Sequence, residues 1–542
     1  MKKKVISLVL IAAMAISMVA CGKSDSKKSD SADAVKELKV QVGPNPETLD
    51  PALNSAVDGG NVILHAFETL LTVDEDGQYK EGQAEKWEVS EDGLTWTFHL
   101  RDGLKWSDGS DLTAEDFVYS WKRVCDPEVA APYAETVLGM VKGYDEAMAG
   151  DADALAVTAT DDKTLVVEME NPCTYFEGLA SFATLSPVQK ASVEANGDGW
   201  ATAPETYVSN GPFKMTEWVP DSYITFEKNE NYWNKDAIKL DKLTFLLIED
   251  PNAAYSAYQQ GEALMIKDVP TEEIPSLEGN DDFFVEPIIG TYYLNMNETM
   301  EIFKDAKVRE ALSLAIDRQY VADTIMQGTY TPAWNLMGPG WKDTDGSEFM
   351  DNSNGGKGYI SEDYDKNLEK AKELLAEAGY PDGEGFPAIK YSTNDAGYHI
   401  PLAEYLQTAW GELGITVEVD KMEWASFTPA RRSQQFDTAR NGWVGDYSDP
   451  SNMLDLFCTT NGNNDGKYSN PEYDAAMELS RTTTDAKERS EALHKAEDIL
   501  MADYGIIPVA YYNDFYLMSN KIQGAWHSAT GYWYFMYADI AE

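Results

Sequence analysis

The sequence predicts an α/β protein of several lobes, and three observations carry that expectation. Strand-like and helix-like patterns alternate along nearly the whole chain of 542 residues. The stretch AIKYSTN, a helical pattern from about 400 to 412, and then ITVEVDKMEW follow in strand–helix–strand order, which favours a locally parallel sheet. Asp-Gly pairs at 76–77, 92–93, 102–103 and 108–109 punctuate LLTVDEDGQYKEG and KWEVSEDGLTWTFHLRDGLKWSDGSDLT, which predicts a β meander there.

The elements follow in order. LKVQV at 38–42 alternates as a first strand, and the prolines of PNPETLDP stop it. NVILHAFETLL at 61–71 has apolar residues at helical spacing after a Gly-Gly pair. Thr113 opens the helix TAEDFVYSWKRV, with acids in its first turn and Phe117, Val118 and Trp121 on one side. Strands recur at TLVVEM, SYITFEKN and KLTFLLI. AKVREALSLAIDRQYVADTI reads as one sturdy amphipathic helix, residues 343–359 as a Gly- and Asn-rich surface loop, and LEKAKELLAEAGY as a helix stopped by Gly379 and Pro381. No internal repeat is visible. A cleft between lobes is the default ligand site.

Composition narrows the function classes. The chain carries 43 Lys+Arg against 93 Asp+Glu, a formal charge of -50, and argues against a nucleic-acid partner, which needs a basic surface. Hydrophobic residues at 43% allow large cores, and the length suggests roughly two to four domains. Four Cys are too few for a disulfide scaffold, so packing must supply stability.

Residues 1–20 read as a secretory signal: Lys2, Lys3 and Lys4 form the basic end and Val5 to Ala20 the apolar stretch, short of the ~20 residues a span needs. The polar residues 21–34 read as a flexible tether. MVAC resembles a bacterial lipoprotein signal, with Met18 where Leu is usual. The resemblance implies a diacylglycerol on Cys21 and a protein anchored to the cell membrane on its extracytoplasmic side. Cys125, Cys173 and Cys458 fit no metal-ligand spacing and read as small buried residues.

Enzyme signatures are missing. There is no G-x-S-x-G elbow, P-loop or HExxH, and His65, His99, His399, His494 and His527 are scattered too widely for a helical zinc pair. Carboxylate pairs carry little information in so acidic a chain. Asn461 to Glu472 fits a calcium-loop pattern at Asn463, Asp465, Gly466 and Glu472, but Pro471 and Glu472 also read as the first turn of a helix. The reading is a non-enzyme with no cofactor and no metal.

AEKWEVSEDGLTWTFHLRDGLKWSDGSDLTAEDFVYSWKR resembles the signature of the family 5 extracellular solute-binding proteins, the receptors of peptide-type ABC importers. NGPFKMTEW, VREALSLAIDR, AKELLAEAGY, FDTARNGWVGDYSDP and YSNPEYD are similar to further landmarks of that family. The resemblance implies a bilobed, periplasmic-binding-protein-like type II α/β fold with an additional β-rich third domain. Residues 35–67, 192–289 and 514–542 would form one ligand lobe, 68–191 the extra domain and 290–513 the other ligand lobe. It also implies a monomer that takes a peptide and hands it to importer permease and ATPase subunits. Rival cargoes within the family are dipeptides, glycosides, opines, haem and nickel chelates; a secreted hydrolase is the rival outside it.

The chemistry of a general peptide receptor is simple, because peptides of variable sequence share only an ammonium, a carboxylate and a backbone. Asp446, in the bend VGDYSDP after a strand, can face a cavity or close an Asx turn; by resemblance it holds the α-ammonium, a charge-assisted bond of roughly 1.5–3 kcal/mol. Gly442, Trp443 and Val444, with Ser55, Ala56 and Val57 from the other lobe, would pair with the ligand backbone by strand addition. Trp424, Trp443, Tyr292 and Tyr293 match aromatic positions of side-chain pockets. Arg440, Arg431 and His399 align with positions that meet ligand carboxylates. A family Lys used with short ligands falls at Met326, which disfavours dipeptides.

Overall fold

The computed structural model describes residues 35–395 and 397–541; the signal, the tether and Cys21 lie outside the described residues. A mixed 11-stranded sheet organises the chain. Its strands lie in the order Val417–Met422, Ile389–Asn394, Thr438–Val444, Phe283–Met296, Ile507–Met518, Met265–Ile266, Glu37–Gln41, Lys242–Leu246, Tyr223–Lys228 and Phe213–Val219. The short Thr331–Pro332 strand pairs beside Ile507–Met518.

Two long strands run through both halves of this sheet, Phe283–Met296 with 14 residues and Ile507–Met518 with 12. They pair antiparallel from Phe283↔Leu517 to Leu294↔Ile507, with a register shift between Pro287 and Thr291. Proline has no amide hydrogen to give the ladder. Groups at the break find partners outside the pair: the Ile289 amide donates to the Ala529 carbonyl at 2.7 Å, and the Ile289 carbonyl accepts from the Gly445 amide at 2.7 Å. The two largest apolar cores meet at the same place, and a small third cluster around Ala254, Ile266 and Leu517 lies apart from them. One core gathers Leu38, Phe67, Trp121, Phe245 and Trp533, and the second gathers Ile289, Tyr292, Trp341, Trp410 and Val509. A cleft therefore has a natural position beside the break.

The strand–helix–strand unit has the expected form. Ile389–Asn394 and Val417–Met422 pair in parallel, with helix His399–Gly411 as the crossover. A separate antiparallel sheet takes the order Ala84–Val89, Thr95–Leu100, Thr164–Glu168, Val157–Asp161. Helix Ala114–Val124 buries Phe117, Val118 and Trp121 and starts with a capping box between Thr113 and Asp116; the Thr113 amide donates to Asp116 Oδ2 at 2.8 Å.

Four local expectations are corrected. The meander is two sheets: Leu71–Val73 pairs only with Tyr79–Glu81, and the partner after Thr95–Leu100 is the later strand Thr164–Glu168. LKWSDGSDL closes as a tight turn with a single Lys105↔Asp111 bridge. The helix read from 61 to 71 runs from Val57 to Ala66, because the Asn210 side chain bonds both the amide and the carbonyl of Glu68 and holds that residue out of the helix. The single helix expected over 306–325 breaks after Leu314. Asp317 caps a new turn by accepting the Tyr320 amide at 3.0 Å, and the buried Arg318 donates to the Pro508, Ser313 and Ile316 carbonyls. The loop at 343–359 is anchored: Phe349 stacks on His494 with centroids 3.9 Å apart, and Ser353 donates to Glu497 at 2.6 Å. Cys125, Cys173 and Cys458 are buried, as read, and all three are free thiols.

Candidate ligand-binding site

Asp446 stands two residues past the Thr438–Val444 strand, beside the register break. It faces two cavities, of about 420 Å³ and about 150 Å³, whose shared wall also includes Phe182, Ala183, Thr530 and Tyr532. Asp446 Oδ1 accepts from the Tyr133 hydroxyl at 2.9 Å and Oδ2 from Asn452 Nδ2 at 3.4 Å. Asn452 Oδ1 in turn accepts from the Asp446 amide at 3.2 Å and from Trp443 Nε1 at 2.8 Å, which fixes the bend. Burial pushes the Asp446 carboxyl above its usual range, and the bonds from Tyr133 and Asn452 oppose that shift. Both donors are neutral. The site is thus a half-buried acid whose best additional partner is a cation.

A backbone slot adjoins it. Val444 and Gly445 line one side of the smaller cavity and Ser55, Ala56 and Val57 the other. Ala56 is extended at φ -132° and ψ 147°. The Thr438–Val444 strand pairs along its whole length with Phe283–Met296, but on its other edge Ile389–Asn394 reaches only Thr438 and Ala439. Beyond that point the edge carries no strand among the described residues, and its backbone groups are a template for an added one. Gly442 is required by sterics, since a Cβ there would lie 2.1 Å from the Tyr512 hydroxyl oxygen.

A second cluster forms around Arg440. Its Nη2 donates to His399 Nε2 at 3.0 Å, and His399 Nδ1 is 3.1 Å from the Tyr292 hydroxyl. A guanidinium only donates, so Nε2 accepts and the ring is neutral. Burial and then the Arg440 charge push the His399 imidazole down to about 3. The Arg440 guanidinium lies 5.5 Å from the Tyr292 ring centre and 5.4 Å from that of Trp424, which is 53% exposed.

The structure therefore sorts the predicted residues. Asp446, Val444, Ser55, Ala56 and Val57 converge on the smaller cavity; Arg440, His399, Tyr292 and Trp424 form the separate cluster; Trp443 steadies Asn452 and Gly442 lies between. None of Arg440, Arg431, His399 and Trp424 lines the two cavities. Three expectations change. His399 is no cation for a carboxylate while it accepts from Arg440. Arg431 Nε is 2.8 Å from Asp465 Oδ2 with both side chains nearly covered, so its charge is already matched. The same pair removes Asp465 from any surface calcium loop. Tyr293 packs edge-on against Phe457 at 5.6 Å in the second core. Met326 is buried there too. Tyr133, Phe182, Asn452 and Tyr532 were not anticipated. Only Asn452 carried a local signal, six residues beyond Asp446 in the same punctuated bend.

Two large cores joined by two strands, with the Asp446 carboxylate and an open strand edge beside the join, define a two-lobed solute-binding protein. Residues 78–465 match the model of the bacterial extracellular solute-binding proteins, family 5 Middle, and the chain belongs to that family. It is 36% identical over 552 residues to the oligopeptide-binding protein OppA of Bacillus subtilis, covering 99% of each chain. It is 32% identical to the dipeptide-binding protein DppE of the same organism, over 96% of this chain and 94% of that one. Among solved structures, Haemophilus influenzae OppA in complex with RPPGFSPFR aligns with a TM-score of 0.75 at 32% identity, over 94% of this chain and 100% of that one. The Escherichia coli murein tripeptide binding protein MppA aligns with a TM-score of 0.76 at 30% identity, over 94% and 99%. These relatives are binding proteins, not enzymes, and the periplasmic-binding-protein-like type II fold is common to them.

Proposed function

We propose that this chain is a lipid-anchored receptor that captures oligopeptides between its lobes and delivers them to an ABC importer. The observation that carries the reading is the Asp446 carboxylate, turned into a cavity and held by Tyr133 and Asn452, neutral donors. An α-ammonium supplies the missing charge, and the strand edge from Gly442 to Val444, facing Ser55 to Val57, supplies affinity indifferent to side chains. The peptide-binding names of the relatives support this choice over glycosides, opines, haem and nickel chelates. In this reading residues 35–67, 192–289 and 514–542 form one ligand lobe, 290–513 the other and 68–191 the extra domain. The carboxylate end points toward Arg440. Closure of the lobes traps the cargo, and the importer favours reopening.

The test is titration calorimetry with tri- to pentapeptides and their N-acetylated forms. Acetylation removes the charge Asp446 needs and should weaken binding about tenfold or more. Equal binding of free and acetylated peptides would overturn the assignment. For the anchor, Cys21→Ser should release the protein from cells into the medium, and retention at the membrane would count against lipidation.

A further inference from the structure

The larger cavity shares a wall with the strand slot, and the backbone reading leaves it unused. Its walls are aromatic, with Tyr79, Tyr447 and Tyr532 among them. Its acids are Asp446 on the shared wall and Glu286, whose side chain is 42% exposed, with Glu75 and Asp76 on the exposed turn between Leu71–Val73 and Tyr79–Glu81. Two basic residues face it, and both are already engaged. Lys342 bonds Glu348. His527 Nε2 is 2.8 Å from Asp514 Oδ2, and its Nδ1 is 3.6 Å from Glu286. The chamber is therefore a negative, aromatic-walled space next to the amine anchor.

We propose that this chamber receives a positively charged side chain on the ligand's first residue, so that the protein prefers peptides beginning with a basic amino acid. The inference rests on Asp446 as the anchor of the α-ammonium. An ammonium fixed on the shared wall leaves the first side chain as the group that can enter the chamber. An apolar side chain would strip water from Glu286 without replacing it, and an acidic one would meet like charge. A Lys or Arg side chain lays its stem along the tyrosines and brings its cation to Glu286. The His527 imidazole beside it holds the Glu286 carboxyl below its usual range, so the acid keeps its charge at neutral pH. Glu75 and Asp76 at the rim steer cations inward.

Calorimetry with four tripeptides decides the matter: Lys-Ala-Ala, its neutral counterpart norleucine-Ala-Ala, Ala-Ala-Ala and Glu-Ala-Ala. The Lys peptide should bind about tenfold more tightly than the norleucine peptide, with the Glu peptide weakest. Glu286→Gln should shrink the Lys-to-norleucine ratio several-fold. Because Glu286 also faces His527, a second variant, Glu75→Gln with Asp76→Asn on the exposed turn, should lower the association rate of the Lys peptide and its sensitivity to salt. Equal affinities for the Lys and norleucine peptides, with both still weakened by N-acetylation, would overturn the chamber's role and leave the amine anchor standing. Indifference to acetylation would overturn both.

Discussion

Tyr133 and Asp446 are 313 residues apart in sequence and 2.9 Å apart in the fold, a hydroxyl donating to a carboxylate across the rim of the cleft. Asp446→Asn should weaken peptide binding about tenfold or more, while Tyr133→Phe, which removes one neutral donor and leaves the charge, should cost less. Calorimetry on both variants orders the two effects. The pH signs are opposite for binding and for stability. Burial raises the Asp446 carboxyl, so on acidification affinity is lost sooner than for an ordinary carboxylate. The stability of the empty protein gains over the same window, because the folded state takes up the proton first.

Gly442 and Tyr512 are fitted to each other. Gly442→Ala places a Cβ 2.1 Å from the Tyr512 oxygen and should destabilise the protein by about 1–3 kcal/mol. Adding Tyr512→Phe removes that oxygen and should restore part of the loss, which urea denaturation of the single and double variants measures. Purely additive losses would remove the steric explanation.

The bend that carries Asp446 rests on a buried ion pair: Arg489 Nη1 and Nη2 each lie 2.9 Å from an oxygen of Asp449. Arg489→Met strands that carboxylate and should cost about 3–5 kcal/mol, whereas Arg489→Met with Asp449→Asn should cost less. Peptide affinity should fall with the single variant as well, since Asp449 is three residues from Asp446. Denaturation and calorimetry on the same samples test both statements.

His65 is held neutral by geometry. Its Nε2 accepts the Phe535 amide at 2.9 Å while Nδ1 donates to the Asn61 carbonyl at 2.7 Å, and burial pushes the ring down to about 4. The unfolded chain therefore binds the proton first as pH falls below the ordinary histidine value. Stability from this residue is present above about 6.5 and declines by up to about 1.4 kcal/mol per pH unit below it. Glu298 and Glu497, pushed up to about 7 by burial, titrate nearby with the opposite sign. The check is thus the difference in stability slope between the wild type and His65→Gln from pH 7 to pH 5.5. Parallel slopes would sink this account.

Much of the frame was readable because it is local. Thr113 and Asp116 announce a helix start within four residues, and the strand–helix–strand unit from Ile389 to Met422 needs no distant partner. What failed depends on remote contacts. Glu68 leaves its helix because of Asn210, and the helix beginning at Ala306 stops where Arg318 finds the Pro508 carbonyl. At the candidate site, the bend and the family likeness point to the aspartate and the strand edge. Arg431 is one of few cations in an acidic sequence, and only the fold brings Asp465 beside it. Tyr133 had no signal at all, since its partner comes from the far end of the chain.

The Ile507–Met518 strand sits mid-sheet, between Phe283–Met296 and Met265–Ile266. The two halves of the sheet are joined through this late segment, so a product truncated before it would leave Phe283–Met296 and Met265–Ile266 each with an unpaired edge. Such edges are templates for pairing with other chains, and the truncated product should aggregate through them.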